Sequence, residues 1–177
     1  QIIPNLDCVI GSEVNMPILK KVLEFMKRNG LQAYEEQSGR GLVRHVLIRR
    51  GFRTGEIMVC LVLNGTKLPS AEDLVRSLRE IEGMTSITVS VNREKTNVIM
   101  GSEIHLLWGQ DYITDYIGNV KYQISPLSFY QVNPVQTEVL YGQALAYAGL
   151  TGNEVVWDVY CGIGTISLFL AQKAGKV

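Results

Sequence analysis

With 177 residues, 46% of them apolar and 19% charged, the chain has the make-up of a globular domain, or of a small domain plus part of another, and not of a disordered tract. Its 17 Lys and Arg balance 17 Asp and Glu, which excludes a global pull toward nucleic acid and leaves any such contact to a local patch. No apolar run reaches the roughly 20 residues of a membrane span, and the three scattered cysteines, Cys8, Cys60 and Cys161, argue against a disulfide framework and for a reducing, cytoplasmic setting.

The N-terminus, QIIPNLDC, has neither the basic start nor the apolar core of a signal peptide, and no initiating Met. The chain is therefore expected to be a fragment of a longer protein. From Met16 to Asn29, Ile18, Leu19, Val22, Leu23, Phe25 and Met26 recur at helical spacing among basic residues, with Pro17 in the first turn and Gly30 at the end. Leu31–Glu35 reads as a short strand. Leu42–Arg50 and Glu56–Asn64 are β-rich runs joined by GFRTG, the signature of a hairpin. Pro69 and Ser70 open a helix from about Ala71 to Glu82, with Leu74, Val75, Leu78 and Ile81 on one face, and Ile87–Val91 is a further strand. This order predicts a small α+β layer domain.

Beyond it, three short strands at 103–108, 112–117 and 120–125, separated by Gly109-Gln110 and Gly118-Asn119, predict a β-meander. The boundary is drawn at residue 125, giving one domain over 1–125 and the start of another over 126–177. Pro134 opens a helix through about Tyr147, which Gly149 ends.

Residues 155–171 read VVWDVYCGIGTISLFLA. A short apolar strand leads to Asp158, a turn with Gly162 and Gly164 follows, and an apolar helix starts near Ile166. This is how a doubly wound sheet holds a nucleotide-like cofactor at the end of its first strand. A dinucleotide fold wants a third glycine where Ser167 stands; S-adenosylmethionine, which has no phosphate, does not need it. A plain α/β turn with no ligand is the bland alternative. Cys161 is either a thiolate nucleophile activated by the helix start or a small residue filling a tight turn.

Two stretches together, SPLSFYQVNPVQTEVLY (125–141) and WDVYCGIGTISLFLA (157–171), resemble the S-adenosylmethionine-dependent RNA uracil-5-methyltransferases that make 5-methyluridine in tRNA and ribosomal RNA. The Ser-Pro-x-Ser-Phe-x-Gln-Val-Asn segment leads into a helix carrying Gln136 and Glu138, and the glycine turn follows at the family's spacing. GLVRHVLIRRG (41–51) looks like the family's central region. The resemblance implies an α/β protein: an α+β central domain followed by the first strand–helix unit of a Rossmann-like methyltransferase domain. It implies cofactor contacts from Gln131, Tyr160 and Thr165, with Asp158, Gly162 and Gly164 shaping the turn. Asn133 reads better as the cap of the helix that Pro134 opens.

In that chemistry a cysteine adds to carbon 6 of uracil, the resulting enolate attacks the methyl donor, and a base removes the carbon-5 proton. The family's cysteine and base lie downstream of the turn. No catalytic residue is therefore assigned here, Cys161 included, and the chain alone is expected to be inactive. Cys8 could match the last of four cysteines that hold an iron–sulfur cluster in some members; alone it holds none, and no metal site is assigned.

Arg40, Arg44, His45, Arg49, Arg50 and Arg53 fall in an acid-free stretch and form the best candidate RNA contact. RNA, ribosomal more than transfer, is the expected partner, with no membrane and no protein partner indicated. A different S-adenosylmethionine enzyme and a non-enzymatic RNA-binding module are the two rival readings.

Overall fold

The computed structural model describes residues 8–177. Helix α1 spans Asn15–Arg28, strands β1 and β2 span Val43–Arg50 and Ile57–Leu63, helix α2 spans Ala71–Leu78, and strands β3 and β4 span Met84–Val91 and Glu103–Gly109. The four strands form one mixed sheet in chain order: β1–β2 and β3–β4 are antiparallel, and β2–β3 is parallel, with α2 as the crossover. The fold is α/β.

Why these residues form these elements follows from their spacing. Ile18, Val22, Phe25 and Met26 put one stripe of α1 against the sheet. The helix ends in paired backbone bonds, Leu31 N–H to Met26 O at 2.9 Å and Gly30 N–H to Lys27 O at 3.4 Å, which satisfy its last carbonyls. Strand β2 (IMVCLVL) is buried along its whole length, as a continuous apolar run between two neighbours should be. Ile57, Val59, Leu61 and Leu63 join α1 and α2 in the main core, while Met58 faces a second one.

That second core belongs to the later half of the chain. Strands β5 (Ile113–Ile117) and β6 (Val120–Ile124) make a separate antiparallel hairpin, followed by α3 (Pro134–Ala148) and α4 (Thr165–Leu170). Ile113, Ile117, Tyr122 and Ile124 pack with Tyr141 of α3 and Phe169 of α4.

The structure differs from the sequence expectations in four places. The three-strand meander does not form, because β4 pairs with β3 and only β5 and β6 pair with each other. Leu31–Glu35 contributes only isolated bridges, Ala33 to Val43 and Glu35 to Arg40. Helix α2 ends at Leu78, four residues before the expected Glu82. Val155–Trp157 makes a single bridge, Val155 to Lys176, and no strand; parallel strands need neighbours on which to ladder, and among the described residues that bridge is all the segment has.

Candidate functional site: the glycine turn and its supports

The turn is built from its own backbone and two neighbouring side chains. Gly162 (φ +55°) and Gly164 (φ +78°) are left-handed, the conformation that lets the chain reverse into α4 and that a Cβ would strain. Gly164 N–H donates to Cys161 O at 2.8 Å, closing the turn. Asp158 fixes both ends of it: its carboxylate accepts the Tyr160 N–H at 3.2 Å and the Ser167 hydroxyl at 2.6 Å. Ser167, where a dinucleotide fold wants glycine, thus has a hydrogen-bonding task of its own.

Thr165 is held from two sides. Tyr122 of β6 donates its hydroxyl to Thr165 O at 2.8 Å, and Tyr141 of α3 hydrogen-bonds Thr165 Oγ1 at 2.9 Å, both buried. Tyr141 also meets Phe169 edge-on, with ring centroids 5.7 Å apart. Burial and then the neighbouring Tyr141 push the Tyr122 pKa up to about 12, so it remains a neutral donor. Just before the turn, Glu154 accepts from the Thr151 hydroxyl at 2.6 Å, from Thr151 N–H at 2.9 Å and from Gly152 N–H at 3.0 Å. Those bonds to its charged form pull its pKa down to about 2.

Asp158, Tyr160, Gly162, Gly164 and Thr165 are therefore gathered in one turn. Its outer side is open: a Cβ built on Gly162 would meet no atom within 4 Å, and the Tyr160 side chain is exposed. Such a cradle fits a small cofactor bound by backbone and ring contact. Gln131 stands elsewhere, in the wall of a cavity whose lining includes none of the turn residues. Asn133 caps α3, its Oδ1 accepting the Gln136 N–H at 3.1 Å, as the capping reading expects. Cys161 is exposed, with Sγ 3.6 Å from Gly162 O. Cys60 is fully buried, and burial pushes its thiol pKa up. Among the described residues no group of His, Cys, Asp and Glu could hold a metal ion.

The basic stretch is more engaged than its sequence suggests. Arg44 donates to Asn92 O at 2.9 Å and Glu94 O at 2.8 Å and stacks on Tyr34; Arg50 pairs with Glu13 at 3.0 Å. Arg53 reaches Gly118 O at 2.9 Å and the Glu138 carboxylate at 2.6 Å. Arg49 donates to Pro126 O at 3.2 Å and Ser128 O at 2.8 Å, tying β1 to the segment that carries Gln131. A bulge between Val43 and His45 also shifts the strand's alternation. Four of the five arginines thus have internal partners.

Asp115, Tyr122 and Tyr141 are supports that sequence reasoning missed. In the hairpin Asp115 lies opposite Tyr122, on the face that also carries Ile113, Ile117 and Ile124. Asp115 is 1% exposed and accepts the backbone N–H groups of Phe52 and Arg53, each at 2.9 Å. Polar residues at apolar-face positions of ITDYI and VKYQI were the available signal.

No protein-family model matches the chain. It is 52% identical over 96% of its length to a protein of Clostridium tetani named as an uncharacterized RNA methyltransferase, 37% of which is covered. A likewise named protein of Halalkalibacterium halodurans is 49% identical over 97% of this chain, with 38% of that protein covered. Among solved structures, the Pyrococcus abyssi tRNA (uracil-54, C5)-methyltransferase in complex with S-adenosyl-L-homocysteine matches with a TM-score of 0.80 and 26% identity, covering 97% of this chain and 41% of that one. The chain thus spans well under half the length of the relatives it matches.

Proposed function

We propose that the chain is part of a cytoplasmic, S-adenosylmethionine-dependent RNA methyltransferase that acts on carbon 5 of a uridine, in ribosomal RNA or, as the name of the archaeal neighbour suggests, in tRNA. The observation that carries this reading is the likeness, over nearly the whole chain, to proteins named RNA methyltransferases. The open turn built on Asp158, Gly162 and Gly164 supports it. No helix among the described residues is long and apolar enough to cross a membrane.

The cofactor would supply an activated methyl group. Tyr160 and Thr165 are the residues proposed to contact it; Gln131, the third contact that the resemblance implies, lies apart from the turn, in the wall of a separate cavity. The division of labour is between residues 1–125, the central domain, and residues 126–177, the opening of the methyl-donor site. Tyr122 and Tyr141 keep Thr165 in register. Neither Cys60 nor Cys161 is proposed to add to carbon 6: Cys60 is buried with its thiol pKa raised, and Cys161 belongs to the turn. The 177-residue chain alone is therefore proposed to be inactive.

The test is tritium release from RNA carrying 5-tritiated uridine, with the full-length protein and separately with residues 1–177. Release by the full-length protein alone is the expected result. Methyl incorporation without tritium release would move the reaction away from carbon 5, and turnover by the short chain would refute its proposed inactivity. Running ribosomal RNA and tRNA side by side assigns the substrate.

A further inference from the structure

Helix α3 is apolar on all its sides. Glu138 is the one charge among its 15 residues, yet only Thr137 and Tyr141 of it are buried. A helix of that kind belongs in a packed interior. Its outward side, with Val139, Leu140 and Tyr147, is exposed, and so are Val155, Trp157 (82%) and Val159 (91%) of the segment before the glycine turn. Single hydrophobic residues are ordinary on a surface; an open helix side together with an open apolar run marks an interface.

The backbone shows what kind of chain covers it. Val156 N–H donates to Lys176 O at 2.8 Å, and Lys176 N–H donates to Glu154 O at 3.0 Å. That is one rung of a parallel ladder, with α4 as the crossover between its two sides. Continuing the ladder pairs the Val156 carbonyl and the Asp158 N–H with the second residue past Lys176. Neither group has a backbone partner among the described residues. The backbone groups of Val155 and Trp157 face the opposite edge and are likewise without backbone partners there. An apolar run open on both edges has the pattern of an interior strand, not of a finished edge.

A second copy of this chain does not fit. Two-fold pairing sets a strand antiparallel to its own copy, which leaves the Lys176 side, committed to parallel pairing, unextended. The relatives from Clostridium tetani and Halalkalibacterium halodurans carry most of their length outside the matched part, since 37% and 38% of them are covered. Enough chain for the cover therefore exists in one polypeptide.

We propose that these surfaces seat further strands of the same full-length polypeptide. One runs on from Lys176 along Val156–Asp158, one lies along the opposite edge, and the same addition covers the outer side of α3. The inference rests on the reading of the chain as part of a longer protein. Asp158 belongs to this run and also holds Tyr160 N–H and Ser167, so the added strands brace the glycine turn.

The chain has two tryptophans, Trp108 and Trp157, and Trp108→Phe leaves Trp157 as the reporter. Acrylamide quenching of its fluorescence is measured in the 177-residue chain and in the full-length protein, both without RNA or cofactor. The full-length protein is expected to show blue-shifted emission and severalfold weaker quenching. If Trp108→Phe fails to fold, the difference in emission between wild type and Trp157→Phe reads the same residue. Leu140→Lys, on the open side of α3, should leave the melting temperature of the 177-residue chain unchanged and lower that of the full-length protein. Equal quenching in the two proteins would overturn the inference, as would protection of Trp157 in the full-length protein only after RNA is added. Protection in the short chain that rises with its concentration would overturn it in favour of a second copy. So would a full-length protein as indifferent to Leu140→Lys as the short chain count against any cover on α3. A protected Trp157 in a full-length protein that transfers no methyl group would sink the enzyme reading and leave this inference standing.

Discussion

Replacing Asp115 isolates what joins the two cores. Its carboxylate is 1% exposed and takes the Phe52 and Arg53 amides, each at 2.9 Å, from a loop on the opposite side of the junction. Each is a hydrogen bond to a charged group, for which roughly 1.5 kcal/mol is a conservative value. Asp115→Ala removes both and leaves two half-buried amides unpaired, so the loss should be about 3 kcal/mol, or more than a hundredfold in the folding equilibrium. In a chain of this size that lowers the melting temperature by about 6–12 °C. Asp115→Asn retains one good acceptor and turns an amide NH₂ toward the second N–H, so it should cost roughly half as much. Urea unfolding followed by far-UV circular dichroism measures both, with the slope m shared between variants. A loss below about 1 kcal/mol for Asp115→Ala would refute the argument that these bonds carry the junction. So would Asn proving as costly as Ala, since the cost would then not follow the number of acceptors.

Two further predictions bear on the glycine turn. Tyr122→Phe removes the buried bond to Thr165 O; it should cost about 1 kcal/mol of stability and, in the full-length protein, raise the cofactor Kd, as calorimetric titration would show. The Glu154 carboxyl, held at a pKa of about 2 in the folded chain by its Thr151 and Gly152 bonds, lies well below its unfolded value of about 4.3. A depressed folded pKa gives stability that is present above the unfolded pKa and fades as pH falls toward 2. The melting-temperature gap between wild type and Glu154→Gln should therefore be constant above about pH 5 and shrink below it; a gap independent of pH from 7 to 3 would contradict this.

Much of the fold was legible because local pattern and tertiary role agree. The stripe on α1, the unbroken apolar run of β2 and the Asn133-Pro134 start of α3 each carry their own explanation in a few residues. The pairing of β4 was not legible, since nothing local to β4 says which strand it meets. It is decided by the 92–102 loop, where the Asn92 side chain donates to Val98 O at 2.7 Å and Ile99 O at 3.0 Å and turns the chain back along β3. The glycine turn could be read from its spacing, but its supports could not, because Tyr122 and Tyr141 lie far from it in sequence. The arginines misled for a related reason: Arg44, Arg49 and Arg53 spend their charge on backbone carbonyls far along the chain, and a guanidinium's partner cannot be read from its neighbours.

The strand order β1-β2-β3-β4 is also the order of synthesis. Each strand, on leaving the ribosome, finds the partner it needs already waiting at the growing edge, and none must hold an exposed edge open for a segment not yet made. The main core draws on no residue beyond Trp108 and so needs none of the hairpin, α3 or α4 to close, with Met58 left facing outward. The hairpin, α3 and α4 then have a finished surface to assemble on. Vectorial folding of this kind makes the earlier part of the chain the template for the later, and a pause in translation after β4 has cleared the ribosome would lengthen the interval in which that template sets.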